Sequence, residues 1–446
     1  MNSIDRTLKI LREKEIKDSI YFNVVHELAS AMNLIIEKHP EYEKENIFGR
    51  LMEAEKVLEF SVPWRDDTGK VHVNRGYRVQ FNSVLGPYKG GFRFHPSVDL
   101  DLFKALALEQ TLKNALTGLP MGGAKGGSDF NPKGKSDTEL MRFCQSFILR
   151  IFSHIGENID IPAGDIGVGN KEIGYMYGML KNLRGKHELG ALTGKQPGFG
   201  GSLIRPESTG YGICYFAQFI ERQRKGDLRD KRVVISGYGN VAWGVAKKME
   251  QLGAKVVTLS GSDGYIYDEA GICGEEKLNF LLTMRTLKNR SVKEYSKRFS
   301  VPYYPAEKPW GVQGDIYIPC ATQNEICYED AKKIAQNKGS YMVEGSNIPC
   351  TSDAQNYFIE QDYLFIPSKA ANAGGVSVSF LEMSQNAQLL MWSERQVDRK
   401  LKEIMSQIFD NLVTTKMKYS LSNYVLAANI SALERLSRAE MIYQYV

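Results

Sequence analysis

The sequence predicts an α/β protein of two domains. Three observations carry that expectation: the hydrophobic period changes from helical to alternating near residue 57, a strand–glycine turn–helix opens at Lys231, and segments running from strand to polar loop repeat after it. A chain of 446 residues is also too long for one compact core. Its 43% hydrophobic and 24% charged content is that of an ordinary folded chain. The net charge of +5, with no run of five like charges, does not call for nucleic acid and suits small anionic substrates equally well.

Residues 4 to 60 read as helical, with Ile20, Val24, Val25, Leu28, Met32 and Ile35 near helical spacing and Pro40 as a breaker. A packing or subunit-contact layer is the plain reading. VLEFSVPWRDD and VHVNRGYRVQFN then alternate around Asp67-Thr68-Gly69, a hairpin signal. GPYKGGFRFHP reads as a loop carrying Lys89, where a lysine is most often simply solvated. Ser97 to Leu116 is a helix, capped by Ser97 or Asp99 and ended by Gly118 and Pro120. Gln110 and Lys113, three apart, project from one face of it.

That helix runs into PMGGAKGG, where four glycines surround Lys125. So many glycines make poor helix and poor strand, so the segment reads as a loop. Close approach of backbone to a ligand is one reason for them; a flexible loop is the other. FCQSFILRIFSHIG (143–156) is a further amphipathic helix, and DIPAGDIGVGN places Asp165 in a tight turn, where a lone aspartate commonly forms an Asx-turn. Glycine density from 185 to 201 marks a domain boundary and an ordered hinge.

The second domain opens on RVVIS, then GYGNVAWGVAKKMEQLG, then KVVTLS. Gly237, Gly239 and Ala242 thus sit between a buried strand and a helix, the setting that a dinucleotide pyrophosphate requires at the helix N-terminus, with Asn240 and Val241 in the first turn. Where an acid would hold the ribose 2′-hydroxyl, the chain has Ser260, Gly261 and Ser262, with Asp263 slightly late. Arg285, Lys288 and Arg290 follow in RTLKNR. Hydroxyls and cations suit a 2′-phosphate, Asp263 argues mildly the other way, and the cations also read as a solvated helix face. DIYIPCATQNE, SYMVEGSN and YLFIPSKAANAGG each run from strand to loop, placing Ala321, Thr322, Asn347 and Asn372 beyond strand C-termini, near the cofactor.

The six cysteines form no CxxC pair and the histidines no HExxH, so no metal site is expected and the thiols read as free in a reducing cytosol. The opening MNSIDRTLKILREKE lacks a signal-peptide core, and no eighteen apolar residues run together. A cytoplasmic protein without membrane attachment is the expectation.

PYKGGFRFHP, LEQTLKNALTGLPMGGAKGGSDF, PAGDIGVG, GGSLIRPESTGYG, ISGYGNVAWG, IPCATQNE and KAANAGGVSVSFLEMSQN, in this order, resemble the hexameric glutamate dehydrogenases of about this length, within the Glu/Leu/Phe/Val dehydrogenase family. The resemblance runs from about residue 50 to the end, and LAANISALERLSRAEM departs from its usual glycine-containing form. It implies a substrate-binding and oligomerisation domain with a mixed sheet over 1–200, a Rossmann-like dinucleotide-binding domain over 201–423, and a C-terminal helix (424–446) returning to the first. It also implies roles. Lys89, with Ser379, binds the substrate's side-chain carboxylate, and Gln110 and Lys113 grip the α-carboxylate. Lys125 is the catalytic lysine, and Asp165 shuttles protons to and from ammonia. Arg205 and Val376 lie at the substrate cleft, while Thr209 and Asn240 contact the nicotinamide end and the phosphates.

The implied reaction is the reversible oxidative deamination of glutamate to 2-oxoglutarate and ammonium in a homohexamer, with NADP preferred on the strength of Ser262, Arg285 and Lys288, and NAD also open. The bottom-up chemistry agrees: two carboxylates need several cations, and proton transfer near neutrality needs a lysine of lowered pKa beside a carboxylate. The rival readings are a dehydrogenase for branched-chain or aromatic amino acids, which needs an apolar pocket in place of Lys89, and a non-enzymatic nicotinamide-binding protein, against which Lys125 and Asp165 together argue.

Overall fold

The computed structural model describes residues 1–284 and 291–443. The chain forms two units. One holds Met1–Leu203, Ser379–Val397 and the chain from Asn429; the other holds Ile204–Val378 and Asp398–Ala428.

The first unit opens with α1 (Ser3–Lys14), α2 (Ile20–Lys38), α3 (Glu41–Lys44) and α4 (Ile47–Leu51), with Asn2 and Ser19 accepting backbone N–H bonds as caps of the first two. Then β1 (Lys56–Arg65) and β2 (Val71–Asn82) form the hairpin, its turn closed by Asp66 Oδ1 accepting from Thr68 N and Lys70 N at 2.9 and 3.0 Å. After them come β3 (Tyr88–Phe94), α5 (Leu100–Leu116), β4 (Gly123–Ser128), α6 (Asp137–Ile151), β5 (Asp160–Gly164) and α7 (Asn170–Arg184). The sheet order is β1-β2-β4-β3-β5; β1, β2 and β4 pair antiparallel, and β4, β3 and β5 pair parallel. Trp64, Phe94 and Phe130 fill the core against Phe143 and Phe147 of α6, with Phe130 and Phe143 stacked at 3.8 Å between centroids. Each such ring contributes about 1.5–3 kcal/mol by burial.

Three readings change here. PYKGGFRF and GGAKGGS are not loops but β3 and β4, central strands of the sheet. Their glycines serve backbone packing: a Cβ at Gly90 would lie 1.6 Å from Ala124 O, one at Gly123 2.0 Å from Thr111 Oγ1 of α5, and one at Gly127 1.8 Å from Arg93 O. The helix expected over 143–156 is α6, which begins at Asp137, six residues before Phe143, because Ser136 and Glu139 form a capping box, and ends at Ile151.

The second unit contains α8 (Ser208–Gln223), β6 (Arg232–Ile235), α9 (Asn240–Gln251), β7 (Lys255–Val256), β8 (Thr258–Gly261), β9 (Gly264–Tyr267), α10 (Glu275–Met284), α11 (Lys293–Phe299) and β10 (Tyr303–Pro305). It continues through β11 (Ile316–Ile318), α12 (Tyr328–Ala335), β12 (Tyr341–Val343), α13 (Ser352–Glu360), β13 (Phe365–Ile366) and α14 (Ser368–Ala371). A parallel sheet runs β13-β12-β11-β6-β7, so the order reverses beside β6, the place where such sheets open a ligand crevice. KVVTLS is two strands, broken at Val257, whose carbonyl accepts from Asp268 N; β8 joins an antiparallel β10-β9-β8 sheet.

The last helices are α15 (Gly374–Gln388), α16 (Glu394–Lys418) and α17 (Tyr424–Tyr443). The sequence reading carried the second domain through residue 423, whereas Ser379–Val397 groups with the first unit. There Gln385 Nε2 donates to Ser202 Oγ (2.9 Å) and Asn386 Nδ2 to Gly200 O (2.7 Å). α17 is tied to the first unit by Arg435, which donates to Ala115 O and Gly118 O at 2.7 and 2.8 Å, and by Glu440, which accepts from Asn82 and Arg50. Among the described residues no helix is long and apolar enough to cross a membrane.

Candidate active site

In the first unit, β3 runs between β4 and β5. It carries Lys89, β4 carries Lys125, and Asp165 follows the end of β5. Lys125 Nζ donates to Asp165 Oδ1 at 2.9 Å, and Arg93 Nε of β3 donates to Asp165 Oδ2 at 2.7 Å. A Cβ at Gly91 would lie 2.9 Å from Asp165 Cβ, so glycine there makes room for the carboxylate. Burial pushes the Lys125 ammonium below its usual range; Asp165 opposes this, and Arg93 and Arg78 add to it. Burial alone would raise the Asp165 carboxyl, but Lys125 and Arg93 override it and hold the group well below the ordinary carboxylate range. The strand carrying Arg93 is anchored from behind by a fully buried pair, Arg78 and Asp160, with Arg78 Nε donating to Asp160 Oδ2 at 2.8 Å and Arg78 Nη1 to Gly90 O at 3.2 Å.

Lys89 is 1% exposed, and its Nζ donates to Thr193 Oγ1 at 2.7 Å. Gln110 and Lys113 lie half-buried on α5. Gln110 Nε2 donates to Asn114 Oδ1 at 2.8 Å, and a Cβ at Gly90 would meet Gln110 Cγ at 3.2 Å, which sets Gln110 beside β3. Asn114 in turn donates to Lys89 O (3.1 Å) and Gly122 O (2.6 Å), pinning the helix to the strand. Ser379 is buried on α15. Arg93, Asn114 and Thr193 were missed by sequence reasoning. The alternation of FRF could have singled out Arg93, since a charge between two buried phenylalanines on a central strand needs a partner.

In the second unit a cavity of about 640 Å³ is lined by Gly237, Tyr238, Gly239, Asn240, Ser260, Gly261 and Ser262, and by Lys308, Pro309, Trp310, Cys320, Ala321, Thr322 and Glu325. Gly237 has φ +76 and a Cβ there would lie 3.1 Å from Cys320 O, while a Cβ at Gly239 would meet nothing within 4 Å. Backbone is therefore bare toward the cavity at the N-terminus of α9, which fits a pyrophosphate. Ser260 is committed within the fold, its Oγ accepting from Gly237 N at 3.1 Å, while Ser262 is exposed. Glu325 Oε1 accepts from Ala321 N and Thr322 N at 3.0 and 3.3 Å and shapes the lining there; burial raises its carboxyl. Asn372 Nδ2 donates to Asn347 Oδ1 at 2.8 Å, outside that lining, and Val241 is half-buried on α9. Arg205 and Thr209 lie against the start of α15, where a Cβ at Gly375 would be 2.7 Å from Thr209 Oγ1 and 3.7 Å from Arg205 Nη1; Val376, the next residue, is half-buried. Arg285 and Lys288 lie outside the described residues.

Residues 200–443 match the family model described as Glutamate/Leucine/Phenylalanine/Valine dehydrogenase, and residues 54–182 match Glu/Leu/Phe/Val dehydrogenase, dimerisation domain. The chain belongs to the Glu/Leu/Phe/Val dehydrogenase family. Within this family, it is 49% identical over 440 residues to the NAD-specific glutamate dehydrogenase of Clostridium symbiosum, covering 98% of each chain. It is 47% identical over 440 residues to the NADP-specific glutamate dehydrogenase of Giardia intestinalis, covering 98% of this chain and 97% of that one. A solved glutamate dehydrogenase superposes with a TM-score of 0.97 at 48% identity, over 100% of this chain and 99% of that one. As a member of this family the chain is an oxidoreductase of amino-acid metabolism that uses a nicotinamide dinucleotide.

Proposed function

We propose that this chain is a glutamate dehydrogenase, interconverting L-glutamate with 2-oxoglutarate and ammonium. The observation that carries the reading is the pairing of a buried, pKa-lowered Lys125 with Asp165, one on and one just past the strands flanking the strand that bears buried Lys89. Lys89, with Ser379, receives the side-chain carboxylate; Gln110 and Lys113 receive the α-carboxylate; the resemblance also assigns Arg205 and Val376 to substrate binding. Lys125, neutral in a larger fraction than an ordinary lysine, takes or gives the proton at the reacting carbon's oxygen or at water. Asp165 carries protons to and from the nitrogen. Thr209, Gly237, Gly239, Asn240, Val241, Ser260, Ser262, Ala321, Thr322, Asn347 and Asn372 would hold the dinucleotide. When bound, that group exchanges a hydride with the substrate's α-carbon.

NADP is supported by exposed Ser262 and by Lys308, both lining that cavity. Oxidation of glutamate by NAD is favoured by Asp263: its Oδ1 is buried without a partner among the described residues and lies 2.6 Å from where a Cβ at Gly261 would sit, so a ribose hydroxyl could donate to it. An oligomer is the assembly supported by the dimerisation-domain match, and a cytoplasmic homohexamer is part of the proposal. The experiment is parallel oxidation of NADPH and NADH with 2-oxoglutarate and ammonium, with 2-oxoisocaproate as control. Turnover of 2-oxoglutarate by either cofactor supports the reading, and the faster one names the cofactor and the assimilatory or catabolic role. Turnover of the control alone, or of neither, overturns it.

A further inference from the structure

Glu382 is a carboxylate with no exposed surface, on the part of α15 that belongs to the first unit. It faces residues 192–195. Lys195 Nζ donates to its Oε1 at 2.8 Å, Gly194 N donates to both oxygens at 3.1 Å, and Lys195 N donates at 3.3 Å. The same ammonium also donates to Leu192 O. Lys195 is only 5% exposed. The pair therefore brackets one residue, Thr193, from both sides, and Gly194 with φ +90 supplies the left-handed turn that the bracket needs. Thr193 is fully buried, its N–H donates to Pro162 O at 2.9 Å on β5, and its hydroxyl accepts from Lys89 Nζ at 2.7 Å.

A buried ion pair is poor value as glue, because desolvating both charges offsets most of their attraction; apolar residues of the same volume hold a fold as well. What charges add is direction. Here every bond of the pair ends on the backbone around Thr193 or on the pair itself, so its effect is to fix where one hydroxyl points. That hydroxyl aims the Lys89 ammonium.

From this we infer that Lys195 and Glu382 are positioning residues for recognition of the substrate's distal carboxylate, acting through Thr193 on Lys89. The inference rests on the reading of Lys89 as the carboxylate-binding lysine. It gives the enzyme's preference for a dicarboxylic keto acid a support outside the residues that touch substrate.

The test compares 2-oxoglutarate with 2-oxopentanoate, equal in chain length but lacking the distal carboxylate. Both are measured with wild type, Glu382→Gln, and the double variant Lys195→Met/Glu382→Leu, which leaves no buried charge unpaired. Thermal unfolding and dinucleotide binding verify that each variant is folded; should the single variant not fold, the double variant carries the same comparison. The expected result is a KM for 2-oxoglutarate raised about tenfold or more in the double variant and less in Glu382→Gln, with kcat within about threefold and kcat/KM for 2-oxopentanoate unchanged. A merely structural role lowers both substrates together, and that result, or an unchanged ratio, overturns the inference. The functional reading is tested separately by the wild type: no preference for 2-oxoglutarate over 2-oxopentanoate defeats that reading, whatever the variants do.

Discussion

Arg93 and Lys125 divide one carboxylate between them: the lysine holds Asp165 Oδ1 at 2.9 Å and the guanidinium holds Oδ2 at 2.7 Å. Two cations on one anion leave the cluster with surplus positive charge in a buried place. That surplus, with burial, moves the Lys125 proton off more readily and keeps Asp165 ionised.

The pH dependence follows from the sign of those shifts. Under the role proposed for Lys125, glutamate oxidation needs its neutral amine, so the acidic limb of kcat/KM tracks the lysine's pKa. Arg93→Met removes a charge that lowers it and frees Asp165 to pair more fully with the lysine; both effects raise the pKa. The acidic limb of the variant is expected to move upward by about one pH unit. Measurement of kcat/KM against pH for wild type and variant checks this, and an unmoved or downward-moved limb would refute the charge-sharing account.

Lys89 is the second handle. Its ammonium is buried against Thr193, so truncation removes a charge-assisted contact that water cannot replace. Lys89→Leu is expected to lower kcat/KM for 2-oxoglutarate by about a hundredfold or more, a loss in the range for one partner of a buried charge pair. Monocarboxylic keto acids should gain relative to it. Equal activity of wild type and variant on 2-oxoglutarate would remove Lys89 from the carboxylate site.

Much of this was legible in the residues. The second unit's strand–turn–helix around Gly237 and the hairpin at Asp67 announce themselves through local rules, because turn chemistry and period are properties of neighbouring residues. β3 and β4 were not legible that way. Glycine at 90, 123 and 127 reads locally as loop, and only the sheet and α5 supply the atoms that a Cβ would strike. The same holds for the site: Lys125 and Asp165 came from a resemblance between motifs, while Arg93 reaches Asp165, and Thr193 and Asn114 reach Lys89, through pairings 72, 104 and 25 residues apart in sequence, which no local pattern encodes.

Behind the site, Arg78 and Asp160 are both without exposed surface, and Gln80 Nε2 adds a third bond to Asp160 at 2.9 Å. Removing one partner strands the other in an apolar setting. Arg78→Met is expected to destabilise the protein by about 3–5 kcal/mol, and Arg78→Met/Asp160→Leu to recover most of that loss. Thermal midpoints of the two variants decide it: a double variant no more stable than the single one would mean that the network's value lies in hydrogen bonds such as Arg78 to Gly90 O and Gln80 to Asp160, and not in the charge pair.

The second unit contains a buried acid of a different kind. Glu344 follows β12, has its Oε2 taken by Ser368 N at 2.7 Å, and is pushed up to about 7 by burial, with the Ser368 and Cys350 bonds pulling weakly the other way. A carboxyl whose folded pKa lies above its unfolded value of 4.5 binds its proton more tightly when folded. Its contribution to stability is complete below about 4.5 and is lost as pH rises through about 7. At about 1.4 kcal/mol per unit, the loss is on the order of 3 kcal/mol. Glu344→Gln, which stays neutral and keeps an oxygen for Ser368, lacks this dependence. Relative to wild type, the variant is therefore expected to gain thermal stability on going from pH 5 to pH 8, since every other titrating group is common to both and cancels. A difference in midpoint that is the same at both pH values would show that Glu344 is ionised in the folded protein throughout, and that Ser368 and its neighbours stabilise the charge more than burial opposes it.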